Sequence, residues 1–297
     1  MDIKNVTVIG AGTMGNGIAQ VFAGQNYKVI LCDVSESALG KAVQTIQINL
    51  ERMVKKEIIA ATDVQITMAN ITTSLHIENG VAEADLIVEA ATENIDLKLN
   101  IFKKMDQFSP PHCILATNTS SISITKIASI TTRPDKVIGM HFMNPVPVMK
   151  LVEVIRGYGT SDDVCSLIMA LSKNLKKEPV EVNDYPGFVA NRILMPMINE
   201  AIYTVNEGVA GVYEIDTVMK LGMAHPMGPL ALADFIGLDV CMSILNIMHQ
   251  GFGNPKYAPC PLLVNMVTAG KLGKKSGEGF YSYHAGTKEM VVSSKFM

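Results

Sequence analysis

The run NVTVIGAGTMGNGIAQ, from Asn5 to Gln20, limits the possible folds more than any other stretch of the chain. A β-like run ends at Gly10-Ala11-Gly12-Thr13-Met14-Gly15 and a helical pattern follows. A second apolar run, YKVILCDVS, carries Asp33, 18 residues after Gly15. The three glycines have separate tasks. The first permits a tight turn, the second lets a backbone approach a pyrophosphate, and the third lets helix pack closely on strand. The helix N-terminus behind them offers unpaired N–H groups and a partial positive charge. This order predicts a dinucleotide site at Gly10, Gly12, Thr13, Met14 and Gly15 within a parallel α/β sheet. Asp33 would accept hydrogen bonds from ribose hydroxyls and repel a 2′-phosphate. Val34-Ser35-Glu36-Ser37 offers no Lys or Arg to counter that repulsion, so the reading favours NAD over NADP. FAD shares the fingerprint, but no other flavin feature is visible.

The first half continues the alternation. A helical stretch runs from Ser35 to about Ala60. DVQITMANITTSL, ADLIVEAAT, CILATNTSS and KVIGMHFM read as strands, and segments such as IDLKLNIFKKMDQF as helices between them. This rhythm predicts the α/β class: a Rossmann-type, doubly wound, mostly parallel sheet. The pattern changes near NDYPGFVANR. FVANRILMPMINEAIYTVNEG, EIDTVMKLG, LALADFIGLDVCMSILNIMHQG and PLLVNMVTAG read as helices, with no convincing strand before the tail. Pro186-Gly187 signals a turn, and Asn183-Asp184 offers capping groups. The expected domains are 1–183, nucleotide-binding, and 184–297, all-helical. Small helical domains with wide apolar faces often pair, so a homodimer or larger homo-oligomer is expected.

Composition sets the remaining bounds. Hydrophobic residues make up 48% of 297 and charged residues 18%, which supports a large core and argues against disorder. A net charge of −3 and a pI near 6.1 give no reason to expect nucleic acid or an anionic membrane as partner. No run reaches the roughly 18 uninterrupted apolar residues of a membrane helix. The opening MDIKNVTVIGAG lacks a signal-peptide pattern. The five cysteines are odd in number and none sits at metal-ligand spacing. Reduced thiols, no metal centre and a cytoplasmic enzyme are the expectation.

Polar residues at the ends of apolar runs carry the chemistry. ATEN, Ala91 to Asn94, follows ADLIVEA and places Glu93 where ligands bind in this architecture, although the helix dipole explains an acidic residue there equally well. Glu89 lies inside the run and has a structural reading too. Asn118-Thr119-Ser120-Ser121 ends another strand; such hydroxyls also serve as helix caps. GMHFMNPVPVMKLVEVI sets His141 and Glu153 in two apolar runs joined by a proline-containing connection. A buried Glu without a partner is costly, whereas a carboxylate against an imidazole fixes its tautomer and leaves the second nitrogen for acid/base work. Asn191, in FVANRIL, either bonds a neighbouring backbone group or reaches toward a substrate.

GAGTMG, Asp33, ATEN, NTSS, GMHFMNPVPVMKLVEVI, DYPGFVANR, AHPMGPLALADFIGLD and GKKSGEGFY together resemble, in order and over almost the whole chain, the short-chain L-3-hydroxyacyl-CoA dehydrogenases. The likeness is greatest to the bacterial 3-hydroxybutyryl-CoA dehydrogenases of butyrate metabolism. It implies a Rossmann domain, a helical dimerisation domain and a site in the cleft between them. It also implies NAD-dependent oxidation of an L-3-hydroxyacyl-CoA to the 3-oxoacyl-CoA, reversibly. By motif, His141 is the acid/base and Glu153 its partner. Ser120 and Asn191 help hold the reacting oxygen. Asn144 is a nicotinamide-side contact, and Glu93, Lys98 and Lys275 are cofactor contacts. Relatives carry lysines on the helix after the second strand. Here Lys55 and Lys56 are present, the position near Asn49 is not basic, and Arg52 could compensate, so Arg52 and Lys56 are the expected coenzyme A contacts. The alternatives are a related dehydrogenase of a free hydroxy or sugar acid, and a non-catalytic NAD-binding protein.

Overall fold

A computed structural model of the chain describes residues 2–283 and 290–297. Its contacts divide it into two compact units, up to Tyr185 and from Pro186 onward.

In the first unit, β1 (Asn5–Ile9), α1 (Thr13–Ala23), β2 (Lys28–Cys32), α2 (Glu36–Lys55), α3 (Ala61–Ala69) and β3 (Ile71–Ser74) make the first half of the winding. Then come α4 (Ile77–Gly80), β4 (Leu86–Glu89), α5 (Ile95–Phe108), β5 (Ile114–Thr117), α6 (Ile124–Ala128) and β6 (Val137–Phe142). β7 (Leu151–Arg156), α7 (Asp162–Asn174) and β8 (Glu178–Asn183) complete it. The sheet order is β3-β2-β1-β4-β5-β6-β7-β8. Neighbours are parallel except β6 and β7, which run antiparallel. The order reverses between β1 and β4, and that crevice at the strands' carboxyl ends is where such sheets bind ligands. β4, β5 and β6 are buried along their whole length, as strands covered on both faces must be. Val8, Ile18, Phe22, Leu31, Val88 and Phe142 share the core there.

The expected Rossmann-type sheet is present, with local differences. DVQITMANITTSL is a helix and then a strand, not one strand. The Asp63 carboxylate accepts the Ala60 N–H at 2.9 Å, which starts α3, and Val64 and Met68, one turn apart, pack on the core. Its β-branched residues imitate a strand. The helix from Ser35 stops at Lys55 rather than near Ala60, and Glu57 turns left-handed at φ 56°. β8 had no counterpart in the sequence reading because EPVEVN carries Pro179. It is an edge strand paired to β7 alone, the place where a sheet tolerates proline.

The second unit is helical: α8 (Ala190–Asn206), α9 (Val212–Gly222), α10 (Pro229–Ile236), α11 (Leu238–Phe252) and α12 (Pro261–Thr268), followed by the short pair β9 (Tyr281–Ser282) and β10 (Val291–Val292). LALADFIGLDVCMSILNIMHQG, read as one helix, is two. Gly237, at φ +105°, breaks it, and α10 and α11 meet at 96°. Among the described residues, no single helix is long and apolar enough to cross a membrane. Two buried carboxylates pin the tail to this unit. Asp216 accepts the Leu230 and Ala231 N–H groups and the Tyr281 hydroxyl. Asp234 accepts the Phe280 and Tyr281 N–H groups and the Tyr283 hydroxyl.

Candidate active site

The glycine turn sits between the carboxyl end of β1 and the start of α1. Gly10 has φ +103°, and a Cβ there would come within 2.7 Å of the Ala90 carbonyl oxygen. A Cβ on Gly15 would lie 1.7 Å from the Gly10 oxygen. Both must be glycine for the protein's own packing. Gly12 differs. Its φ is −70°, open to any residue, and a Cβ would meet nothing within 4 Å. The described residues give no reason for that glycine, and the open space beside it fits a pyrophosphate lying against the backbone. No side chain caps α1 and no acidic residue stands in its first turn, so the N–H groups of Thr13, Met14 and Gly15 suit an anion. The Asp33 carboxylate accepts the Ala11 N–H at 2.8 Å and the Ser35 N–H at 2.9 Å. It ties the end of β2 to the glycine turn and keeps lone pairs for ribose hydroxyls. These residues fit a bound NAD.

A second group joins the ends of β4 and β5. Glu89, the last residue of β4, is fully buried. It accepts the Ala91 N–H at 2.6 Å, the Thr117 hydroxyl at 2.7 Å, and the Lys98 ammonium at 2.7 and 3.0 Å. Lys98 is itself 1% exposed. It also donates to the Ala91 carbonyl at 3.2 Å and lies 3.3 Å from Glu93. Removing one partner of such a pair typically costs roughly 3–5 kcal/mol, because the other charge stays buried alone. Glu93 in turn gathers the NTSS turn. Its Oε1 accepts the Thr119 hydroxyl, the Ser120 N–H at 3.1 Å and the Ser121 hydroxyl at 2.9 Å. Glu93, Lys98 and Ser120 are therefore brought together. Thr117 is the member that pattern reading did not name, and Glu89 and Thr119, though named, had no contact assigned to them. The only available signal was the recurrence of acid, acid and lysine at 89, 93 and 98.

A third group lies on β6 and β7. Antiparallel register places His141 opposite Glu153, and Nδ1 lies 2.7 Å from Oε2. His141 is 8% exposed and Glu153 2%. The Phe142 N–H donates to Asn118 Oδ1 at 2.9 Å, which fastens the NTSS turn to the histidine strand. Asn144 follows, exposed, and the Asn144–Pro145 peptide is cis. Arg52 and Lys56 are exposed at the end of α2, with no bond to any of these groups.

Two predicted residues belong to the second unit. Asn191 stands, buried, in the first turn of α8. Lys275 lies in a 3-10 turn, 2.6 Å from the Asp239 carboxylate at the start of α11.

Residues 5–185 match the NAD binding domain of 3-hydroxyacyl-CoA dehydrogenase, and residues 187–283 match its C-terminal domain. The chain belongs to the 3-hydroxyacyl-CoA dehydrogenase family. This dehydrogenase is an NAD-dependent oxidoreductase, as the glycine turn and Asp33 led one to expect. It is 54% identical to "Probable 3-hydroxybutyryl-CoA dehydrogenase" of Bacillus subtilis, over 97% of this chain and 100% of the relative. It is 48% identical to the 3-hydroxybutyryl-CoA dehydrogenase of Bradyrhizobium diazoefficiens, over 95% and 96%. The crystal structure of (S)-3-hydroxybutyryl-CoA dehydrogenase from Ralstonia eutropha superposes with a TM-score of 0.92 at 50% identity, covering 95% of this dehydrogenase and 100% of that chain.

Proposed function

We propose that this dehydrogenase interconverts L-3-hydroxybutyryl-CoA and acetoacetyl-CoA, with His141 as the acid/base and Glu153 as its partner. The observation that carries the reading is the buried His141–Glu153 contact at 2.7 Å. With Glu153 ionised, Nδ1 carries the hydrogen of that bond, and Nε2 is assigned the exchange of a proton with the substrate. When bound, NAD supplies the hydride acceptor for oxidation and, reduced, the hydride donor for the reverse. In the reductive direction His141 donates a proton to the oxygen on C3 as negative charge develops there. In the oxidative direction the neutral ring removes the hydroxyl proton, and Glu153 compensates the charge the ring acquires. Ser120 and Asn191 are assigned as donors to the same oxygen, which lowers the barrier where charge appears. Glu93, Lys98, Asn144 and Lys275 are assigned to the cofactor, and Arg52 and Lys56 to the coenzyme A phosphates.

The four-carbon substrate follows the relatives' names. NADH oxidation followed by absorbance with acetoacetyl-CoA and longer 3-oxoacyl-CoAs, and NAD reduction with a free sugar acid, test it. Turnover highest on acetoacetyl-CoA is expected, and turnover only on a free acid would overturn it.

Asp33 sets the cofactor preference in this reading. Asp33→Ala is expected to raise the KM for NADH by about tenfold or more, the worth of a charge-assisted hydrogen bond. Its preference for NADH over NADPH is expected to shrink. An unchanged ratio of kcat/KM for the two cofactors would contradict the assignment.

A further inference from the structure

We propose that Glu89 is a positioning residue for the reaction. Through Lys98 and Thr117, this strand-end carboxylate fixes where Glu93 and Ser120 stand. The inference rests on the role proposed for Ser120. Its ground is a closed circuit of bonds joining two neighbouring strand ends. Glu89 grips Lys98 and the Thr117 hydroxyl at once. On the β4 side, Lys98 holds the Ala91 carbonyl and Glu93. On the β5 side, Thr117 Oγ1 accepts the Thr119 N–H at 3.1 Å. The two arms meet again where Glu93 takes the Thr119 hydroxyl and the Ser120 N–H.

The circuit explains two choices that a core alone would not make. A strand packed on both faces has no need of a carboxylate, and a lysine in the second turn of α5 would ordinarily reach solvent. Here both are buried and each satisfies the other. Glu93 therefore stands between two claims: the Lys98 ammonium, shared with Glu89, and the hydroxyl turn. While Glu89 carries most of the lysine's charge, Glu93 is left to organise the turn. Without the Glu89 charge, Lys98 has Glu93 as its only carboxylate among the described residues and draws it from Thr119 and Ser120. Misplacing a substrate-contacting group by about 1 Å can cost a large factor in rate.

The test uses the full chain, with turnover of acetoacetyl-CoA expressed per NADH-binding site, the sites being titrated by NADH fluorescence. Glu89→Gln keeps the side-chain shape and removes the charge. It is expected to lower kcat per site roughly tenfold, while the KM for NADH changes less than kcat does. Thr117→Val, which removes only the bridging hydroxyl, is expected to lower kcat per site about threefold, and Thr117→Ser to restore most of it. A merely structural role would lower the melting temperature and the number of binding sites but leave kcat per site unchanged. That outcome in both Glu89→Gln and Thr117→Val would overturn the inference. If Glu89→Gln does not fold, the Thr117 pair decides alone. Absence of turnover in the wild-type protein would instead overturn the proposed function, and this inference with it.

Discussion

A folded His141→Gln enzyme is expected to reduce acetoacetyl-CoA about 10²-fold or more slowly than the wild type, the usual scale for lost acid/base help. Glutamine has a similar reach but cannot pass a proton between its two ends. Glu153→Gln should fall in the same direction for a different reason. If its amide turns its oxygen to Nδ1, the tautomer survives but the compensating charge is gone. If it turns its nitrogen, an N–H meets Nδ1 and the opposite tautomer is enforced. Neither variant touches the glycine turn or Asp33, so the NADH dissociation constant should stay within about twofold of wild type, the ±0.5 kcal/mol typical of a distant change. Steady-state kinetics with an NADH titration checks both halves. Near-normal turnover by folded His141→Gln would remove the histidine from the mechanism.

The second large effect separates two glycines. Gly15→Ala puts a methyl group 1.7 Å from the Gly10 carbonyl oxygen. Backbone must move against backbone, so the start of α1 is forced off the turn. The expected cost is about 3 kcal/mol or more of stability, the upper range for overpacking, together with loss of measurable NADH binding. Gly12→Ala meets nothing among the described residues, and its backbone angle suits alanine. Its stability should remain within about 0.5 kcal/mol of wild type, yet NADH should bind at least tenfold more weakly, because the new methyl occupies the pyrophosphate's approach. Denaturant unfolding and NADH titration of the two variants supply the comparison. Undiminished NADH affinity in Gly12→Ala would mean that the cofactor's phosphates lie elsewhere.

These residues also mark what could be read in advance. The glycine turn and Asp33 were legible because a strand, a turn and a helix follow one another in the chain and each element carries its own pattern. The β6–β7 hairpin was legible for the same reason: two apolar runs flank one loop. The circuit around Glu89 was not. Its contacts join residues 28 positions apart, Glu89 to Thr117, and periodicity says nothing about which strand ends become neighbours in a crossed-over sheet. α3 was misread because Val, Ile and Thr favour strands locally, and tertiary packing of Val64 and Met68 outweighed that preference. β8 escaped notice because proline excludes only the interior of a sheet, and a sequence does not announce which strand will be the edge.

The antiparallel register of β6 and β7 has a wider consequence. His141 faces Glu153 for the same reason that Ile138 faces Arg156 and Phe142 faces Val152. The pair is a property of the ladder, not of the connection at 143–150. That connection can lengthen, shorten or change its residues while the two side chains keep their places. A slip of one residue within either strand, in contrast, would send one of them to the opposite face of the sheet. Under the function proposed above, the acid/base pair is thus inherited with the strands, and the loop, with its proposed cofactor contact Asn144, is a separate heritable unit.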